Sequence, residues 1–205
     1  MANHVQFSIN FFDMNEEATA KWNEIRARMD NSTDDNNEHW FGDMWVDGQE
    51  GSPTSDEVRE YSWTTGHIGP KWCYVEEHHE EGMYGYAAWA APEMGLEWLL
   101  GQLSELDEKM ITSFTYEDEM PNFIGAYVYE GDECVDGVED DYCDLCLRAE
   151  RNYEELSEKF NADTEEWEDE EAEDFFRDEV YELINEVQNN IIDETIRDIQ
   201  GAKDG

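Results

Sequence analysis

The stretch Tyr84-Gly85-Tyr86-Ala87-Ala88-Trp89-Ala90 decides the reading of the fold: it has the aromatic and small-residue character of a strand, and Pro92 behind it closes the strand and opens a helix. That helix carries Met94, Trp98, Leu99, Leu103 and Leu106 as its apolar positions. Two aromatic and β-branched runs follow, Met110 to Tyr116 and Phe123 to Tyr129, and Glu119-Met120-Pro121-Asn122 between them reads as a hairpin turn. Strand, helix, strand, strand is therefore the order expected across Trp63 to Glu130. No other long segment has apolar residues so frequent and so regularly spaced.

Toward the N-terminus, His4 to Phe12 alternates Val5, Phe7 and Ile9 with His4, Gln6 and Ser8, the period of a half-buried strand. Asn15-Glu16-Glu17 then caps a helix, with acids in its first turn and Ala18, Trp22, Ile25 and Met29 as its buried stripe. A polar loop over Asp30 to Asn37 leads to an aromatic cluster of Trp40, Phe41, Met44 and Trp45. Ser55-Asp56-Glu57 looks like a short helical start, and Tyr61 to Val75 is expected to be extended. The assembled order, strand, helix, strand, strand, helix, strand, strand, predicts an α+β protein with a ferredoxin-like split βαβ antiparallel sheet.

Gly69-Pro70-Lys71-Trp72, then Tyr86-Ala87-Ala88-Trp89-Ala90-Ala91-Pro92, an amphipathic helix, and Phe114-Thr115-Tyr116-Glu117 before Phe123-Ile124-Gly125-Ala126 together resemble a family of ferredoxin-like domains encoded by phages and plasmids. That family carries a W-G-T-K-W strand, an aromatic-Thr-Ala-Trp-Ser-Pro-Pro stretch, a helix and a Phe-x-Gly closing strand. Here Ile68 and Pro70 replace the Trp and Thr of the first motif, and Ala90 and Ala91 stand for Ser-Pro. The resemblance covers roughly residues 61–130. It implies a fold and a mobile-element origin, and it carries no catalytic residue.

Beyond Glu130 the composition shifts, which divides the chain into a core over 1–130 and an acidic loop and helical extension over 131–205. Eight of the fifteen residues from Glu130 to Asp144 are acidic, which reads as a charged loop. Leu156 and Phe160 mark one helix. A second carries Phe176, Val180, Leu183, Ile184, Val187, Ile191, Ile192, Ile196 and Ile199 on one apolar face, expected either to pack on the core or to pair two chains as a homodimer.

Charge dominates the composition. Twelve Lys and Arg stand against 55 Asp and Glu, a formal net charge of −43 over 205 residues. Such a field excludes direct attraction to nucleic acid or anionic lipid and points to basic proteins or cations as partners. Eight Trp, ten Tyr and nine Phe, far more than a solvated chain needs, argue for a folded protein against disorder. No apolar run is long enough to span a membrane, and Met1-Ala2-Asn3-His4-Val5 has neither a basic region nor an apolar signal core, so a cytoplasmic location is expected.

Asp163 to Glu179 holds eleven acids in seventeen residues, opposed only by Arg177. On a helix, carboxylates three or four residues apart lie roughly 5–6 Å from one another, comparable to phosphates along a nucleic-acid strand. Glu165, Glu166, Asp169, Glu170, Glu173 and Asp174 are therefore the expected partner-binding surface. It would imitate DNA and so bind and inhibit a basic host DNA-binding protein: a restriction or other defence component, a nucleoid protein or a polymerase subunit. Two blander explanations compete, a solvated solubilising face and adaptation to high salt, which the count of only five Lys suits.

Cys134, Cys143 and Cys146 raise a zinc- or cation-binding module as an alternative, with His67, His78 and His79 as further ligand sources. Cys143-x-x-Cys146 has the local spacing, but Cys73 and Cys134 stand alone, so reduced thiols and no cofactor are the expectation. No phosphate-cradling Gly-rich loop, G-x-S-x-G elbow or H-E-x-x-H motif is present. Glu76-Glu77-His78-His79-Glu80-Glu81 is the one cluster on which an enzyme could be built, and such a run reads more simply as an exposed hairpin. Binding, not catalysis, is the expected work of the chain.

Overall fold

The computed structural model describes residues 3–30, 38–119, 122–141, 160–161, 166–167 and 170–203. Seven strands form one antiparallel sheet: β1 (His4–Phe12), β2 (His39–Trp40), β3 (Cys73–His79), β4 (Gly82–Ala88), β5 (Ile111–Asp118), β6 (Phe123–Glu130) and β7 (Glu133–Asp141), in the order β2-β3-β4-β1-β5-β6-β7. The α+β class stands, and the sheet is larger than a simple ferredoxin-like one. A separate two-stranded ladder pairs β8 (Phe160–Asn161) with β9 (Glu166–Trp167).

One face of the sheet is covered by α1 (Glu16–Met29) and α3 (Glu93–Ser104). The alternation in β1 sends Val5, Phe7, Ile9 and Phe11 to this face, where they meet Trp22, Ile25 and Met29 of α1 and Leu96, Leu99, Leu100 and Leu103 of α3. Asn15 caps α1 by accepting from the Ala18 N–H at 2.9 Å, and its side-chain amide donates to the Leu106 carbonyl, joining the start of α1 to the end of α3. Met94 and Leu106, expected in the apolar stripe of this helix, are exposed, Leu106 lying beyond the end of α3, and the inward stripe is Leu96, Leu99, Leu100 and Leu103, with Trp98 packed beside it.

Two expectations are corrected. Residues 61–67 are not extended but form a short helix, α2 (Tyr61–His67), and the chain reaches the sheet only at Cys73. Ile68, immediately after α2, is fully buried, and its carbonyl accepts from the Gly95 N–H, supplying one of the free amides at the start of α3. Residues 133–141 are not a loop but the edge strand β7. Gly131, at φ +61°, makes the tight reversal that turns β6 into β7, a conformation glycine adopts without strain.

The other sheet face carries α4 (Glu170–Lys203), the 34-residue C-terminal helix. Val180, Leu183 and Ile184 pack on Ile124, and Ile199 packs with Ile111 and Val128. Each of these buried aliphatic side chains contributes about 1.5–3 kcal/mol to docking. Gln188 Nε2 donates to the Tyr116 and Gly125 carbonyls at 3.2 and 3.3 Å, tying the helix to β5 and β6. The apolar face, for which both core packing and chain pairing were open, therefore packs on its own sheet. The expected helix around Leu156 lies outside the described residues apart from Phe160, which is in β8, and Met120 and Pro121 of the hairpin turn also lie outside them.

Candidate functional site

Docking through one stripe fixes the direction of every other side chain on α4. Glu173, Asp174, Asp178, Glu182, Glu186, Asp193, Glu194 and Asp198 are all exposed. The helix is about 51 Å long at 1.5 Å per residue and carries eleven acids in its sequence. That is one carboxylate per roughly 4.6 Å of axis, against about 3.4 Å per phosphate along one DNA strand. A single helix thus approaches, without reaching, the linear charge of one strand.

β7 supplies a second row beside it. Glu133, Asp136, Glu139 and Asp141 are exposed on this edge strand. Asp136 faces α4, where its carboxylate accepts from the Thr195 hydroxyl at 3.3 Å. Glu139 projects to the opposite face, toward Glu93 at the start of α3. Burial and the Glu139 charge together hold the Glu93 carboxyl above its usual range. The ridge is therefore two-sided, with acids on α4, along the sheet edge and at the start of α3.

Three of the described cations are engaged away from this ridge. Arg28 donates to the Met44 carbonyl and pairs with Glu24, Arg59 binds buried Asp43, and Lys71 lies over the Trp89 ring at 5.3 Å. These contacts fall on α1 and on the segments flanking α2 and β3, away from β7. Arg177 on α4 pairs with Asp174 at 2.5 Å, an exposed contact of small energetic weight.

Of the six acids expected to form the surface, Glu173 and Asp174 are exposed in the first turns of α4. Glu170 opens the same helix and Glu166 lies in β9, while Glu165 and Asp169 fall outside the described residues. Sequence reasoning missed the acids of β7, because it took the segment for a loop. The Gly131-Asp132 pair between two β-rich runs was the signal that could have found them.

Cys134 is exposed on β7, and Cys143 and Cys146 lie outside the described residues. Burial and the neighbouring Asp136 push the Cys134 thiol up, which disfavours the thiolate a metal needs. Cys73 is buried on β3, separated from β7 by four strands, roughly 24 Å at the usual strand spacing. His78 and His79 do not form one cluster, since adjacent strand residues point to opposite faces: the His78 side chain is buried and His79 is exposed. The group of metal-ligating side chains that does come together among the described residues is Asp30, His39 and His78, at the β2–β3 edge.

The uncovered part of the second sheet face, over β3, β4 and β1, is aromatic. His4 stacks on Tyr86 at 5.7 Å and meets Trp72 edge-on at 5.1 Å, and Tyr74 lies 5.7 Å from Tyr86. Between this patch and α4 runs a groove lined by Gln6, Ser8, Glu76, Tyr84, Glu117 and Gln188, in which burial raises the Glu117 carboxyl above its ordinary value. The groove is rich in acceptors and, like the ridge, suits a cationic group.

No described helix is long and apolar enough to cross a membrane. Comparison with known proteins finds no matching family model, no matching curated protein and no matching solved structure, so the function rests on the residues themselves.

Proposed function

We propose that the protein binds a basic protein and that its acidic ridge stands in for the phosphate backbone of nucleic acid in that partner's cleft. The observation that carries this reading is the docking of α4: Val180, Leu183, Ile184 and Ile199 fix the helix on the sheet, so its exposed acids are held as a rigid array. A solubilising tail needs no such support. A rigid array loses little conformational entropy on binding and presents a fixed charge spacing, which is what a nucleic-acid cleft selects. The net charge of −43 adds long-range steering toward a basic partner.

In this reading the strands β3-β4-β1-β5, with α1 and α3, are a ferredoxin-like unit, and β6, β7 and α4 build the ridge on its flank. Residues 61–130 resemble a phage and plasmid family, and that context suggests a mobile-element protein acting in the host cytoplasm to inhibit a defence, nucleoid or transcription component.

The test is recovery of partners from host lysate at low and then moderate salt, followed by competition with duplex DNA. The reading expects a specific DNA-binding protein, released by salt and by DNA, whose recovery falls when Glu166, Glu170 and Asp174, or Glu182 and Glu186, are reversed to Lys. Recovery that is indifferent to DNA and to these reversals overturns it.

A further inference from the structure

His78 owes its position to a β-bulge. From Cys73 to Val75 the pairing of β3 with β4 is regular, but the register then shifts by one residue, so Glu77 meets Tyr84 and His78 meets buried Met83. Without the extra residue, Glu77 would turn inward; with it, His78 does. Its side chain is only 8% exposed, and both ring nitrogens are buried without a hydrogen-bond partner. A buried polar group left unsatisfied is costly, so its presence here calls for an explanation.

Two other donors surround it. Asp30 is the C-cap of α1, and its Oδ1 lies 3.1 Å from His78 Nε2, within ion-pair distance. His39, on β2, packs edge-on against the His78 ring with centroids 4.6 Å apart. Its Nδ1 lies 3.0 Å from the Met29 carbonyl. A carbonyl only accepts, so Nδ1 carries the proton and Nε2 keeps its lone pair, the backbone bond that commonly orients a metal-ligating histidine. One donor atom from each of the three residues lies within 4.8 Å of the other two. In a tetrahedral zinc site neighbouring donors sit about 3.3 Å apart, so the Asp30–His78 pair is near its final spacing. The Asp30 side chain, 59% exposed, has room to adjust.

We propose that Asp30, His39 and His78 bind one divalent transition-metal ion of the zinc type, which ties the C-terminus of α1 to the β2–β3 edge of the sheet. Two imidazoles and a carboxylate are the borderline donors such an ion prefers, and three protein ligands leave a coordination position open. The C-terminal end of the α1 dipole favours a cation there. Burial first, then the nearby His39 and Arg26, lower the proton affinity of His78 against the opposing pull of Asp30. The site lies on the opposite sheet edge from β7 and is independent of the acidic-ridge reading.

The test uses the full chain stripped with chelator and titrated with Zn²⁺ or Co²⁺ in excess Mg²⁺, which occupies weak carboxylate sites. One tight equivalent is expected, with cobalt giving ligand-field absorption but no thiolate charge-transfer band. Zinc should raise the thermal midpoint of the stripped protein. Asp30→Asn and His39→Gln should each weaken binding more than about tenfold, while replacing Cys134, Cys143 and Cys146 by Ser leaves it unchanged. Asp30→Asn carries the test without disturbing the core, and circular dichroism checks its fold. Several weak equivalents abolished by Mg²⁺, a thiolate band, or binding unaffected by Asp30→Asn would each overturn the proposal.

Discussion

Arg59 clasps the buried carboxylate of Asp43 with both terminal nitrogens, Nη1 to Oδ1 at 2.9 Å and Nη2 to Oδ2 at 2.8 Å. Asp43 is 1% exposed. A buried charge that loses a bidentate partner costs far more than the pair itself contributes. Arg59→Ala should therefore destabilise the fold by about 3 kcal/mol, measured by urea unfolding, and Arg59→Lys, which keeps the charge but not the fork, by less. Equal losses for the two variants would show that the charge contributes nothing without the fork, and no loss for Arg59→Lys would show that charge alone matters here.

Tyr116 lies across Gly125 of the neighbouring strand so closely that a Cβ on Gly125 would collide with the ring. Tyr127 covers Gly137 in the same way, one strand further toward the edge. These paired approaches let large rings lie flat where β5, β6 and β7 meet. Gly125→Ala should cost about 1–3 kcal/mol, and the double variant with Tyr116→Ala should recover part of the loss contributed by the clash. Strict additivity in that cycle would contradict the contact.

The inner sheet and its helices were legible because periodicity is local. The alternation of Val5, Phe7 and Ile9, the Asn15 cap and the α1 stripe each announce themselves within a dozen residues. β7 was hidden by its own acids: charge suppressed the apolar alternation, leaving only the Gly131 turn as a sign. α2 was mistaken for strand because Trp63, Thr64 and Thr65 favour extended structure, and tertiary docking overrode that preference. Asp30, His39 and His78 could not be joined from sequence at all. They come from a helix end and two strands, and the last faces inward only because of the bulge at Glu76.

Alkaline pH should unfold the protein through its buried and half-buried phenols. Burial is the main cause that raises the hydroxyls of Tyr86, Tyr116 and Tyr129 well above their ordinary value, with Glu38 adding at Tyr86 and Tyr127 at Tyr116. In the unfolded chain these groups ionise near pH 10, while in the folded chain they keep their protons. Above about pH 10 the unfolded state thus holds fewer protons, and stability falls as pH rises. Their contribution is fully present below that point. Tyrosinate absorbance and circular dichroism followed together should change in one step, and Tyr129→Phe should shift that step to higher pH.

Self-repulsion sets the salt response. With a net charge of −43, screening relieves the compact state more than the expanded one, and the few exposed ion pairs it weakens contribute little. The thermal midpoint should rise between 20 and 500 mM sodium chloride, values chosen to move the Debye length from roughly 20 Å to under 5 Å. A falling midpoint would mean that specific pairs such as Arg59–Asp43 and Arg28–Glu24 outweigh the global field.

Because α4 is held by a small set of aliphatic contacts against a large charge, it should be the first element to leave. Ile184 is 1% exposed and packs with Val180 and Leu183 on fully buried Ile124. Ile184→Ala should cost about 2–4 kcal/mol, and Ile184→Asp should release the helix, since it buries a carboxylate beside apolar neighbours. Hydrogen exchange would then show α4 amides unprotected while those of β1 and β5, at the centre of the sheet, stay protected. If Ile184→Asp instead unfolds β1 and β5 with α4, the helix belongs to the cooperative core. The same variant bears on the ridge: a detached α4 keeps every carboxylate but loses their fixed spacing. Binding to a basic partner should therefore weaken although the charge becomes no less negative, separating a shaped surface from mere acidity.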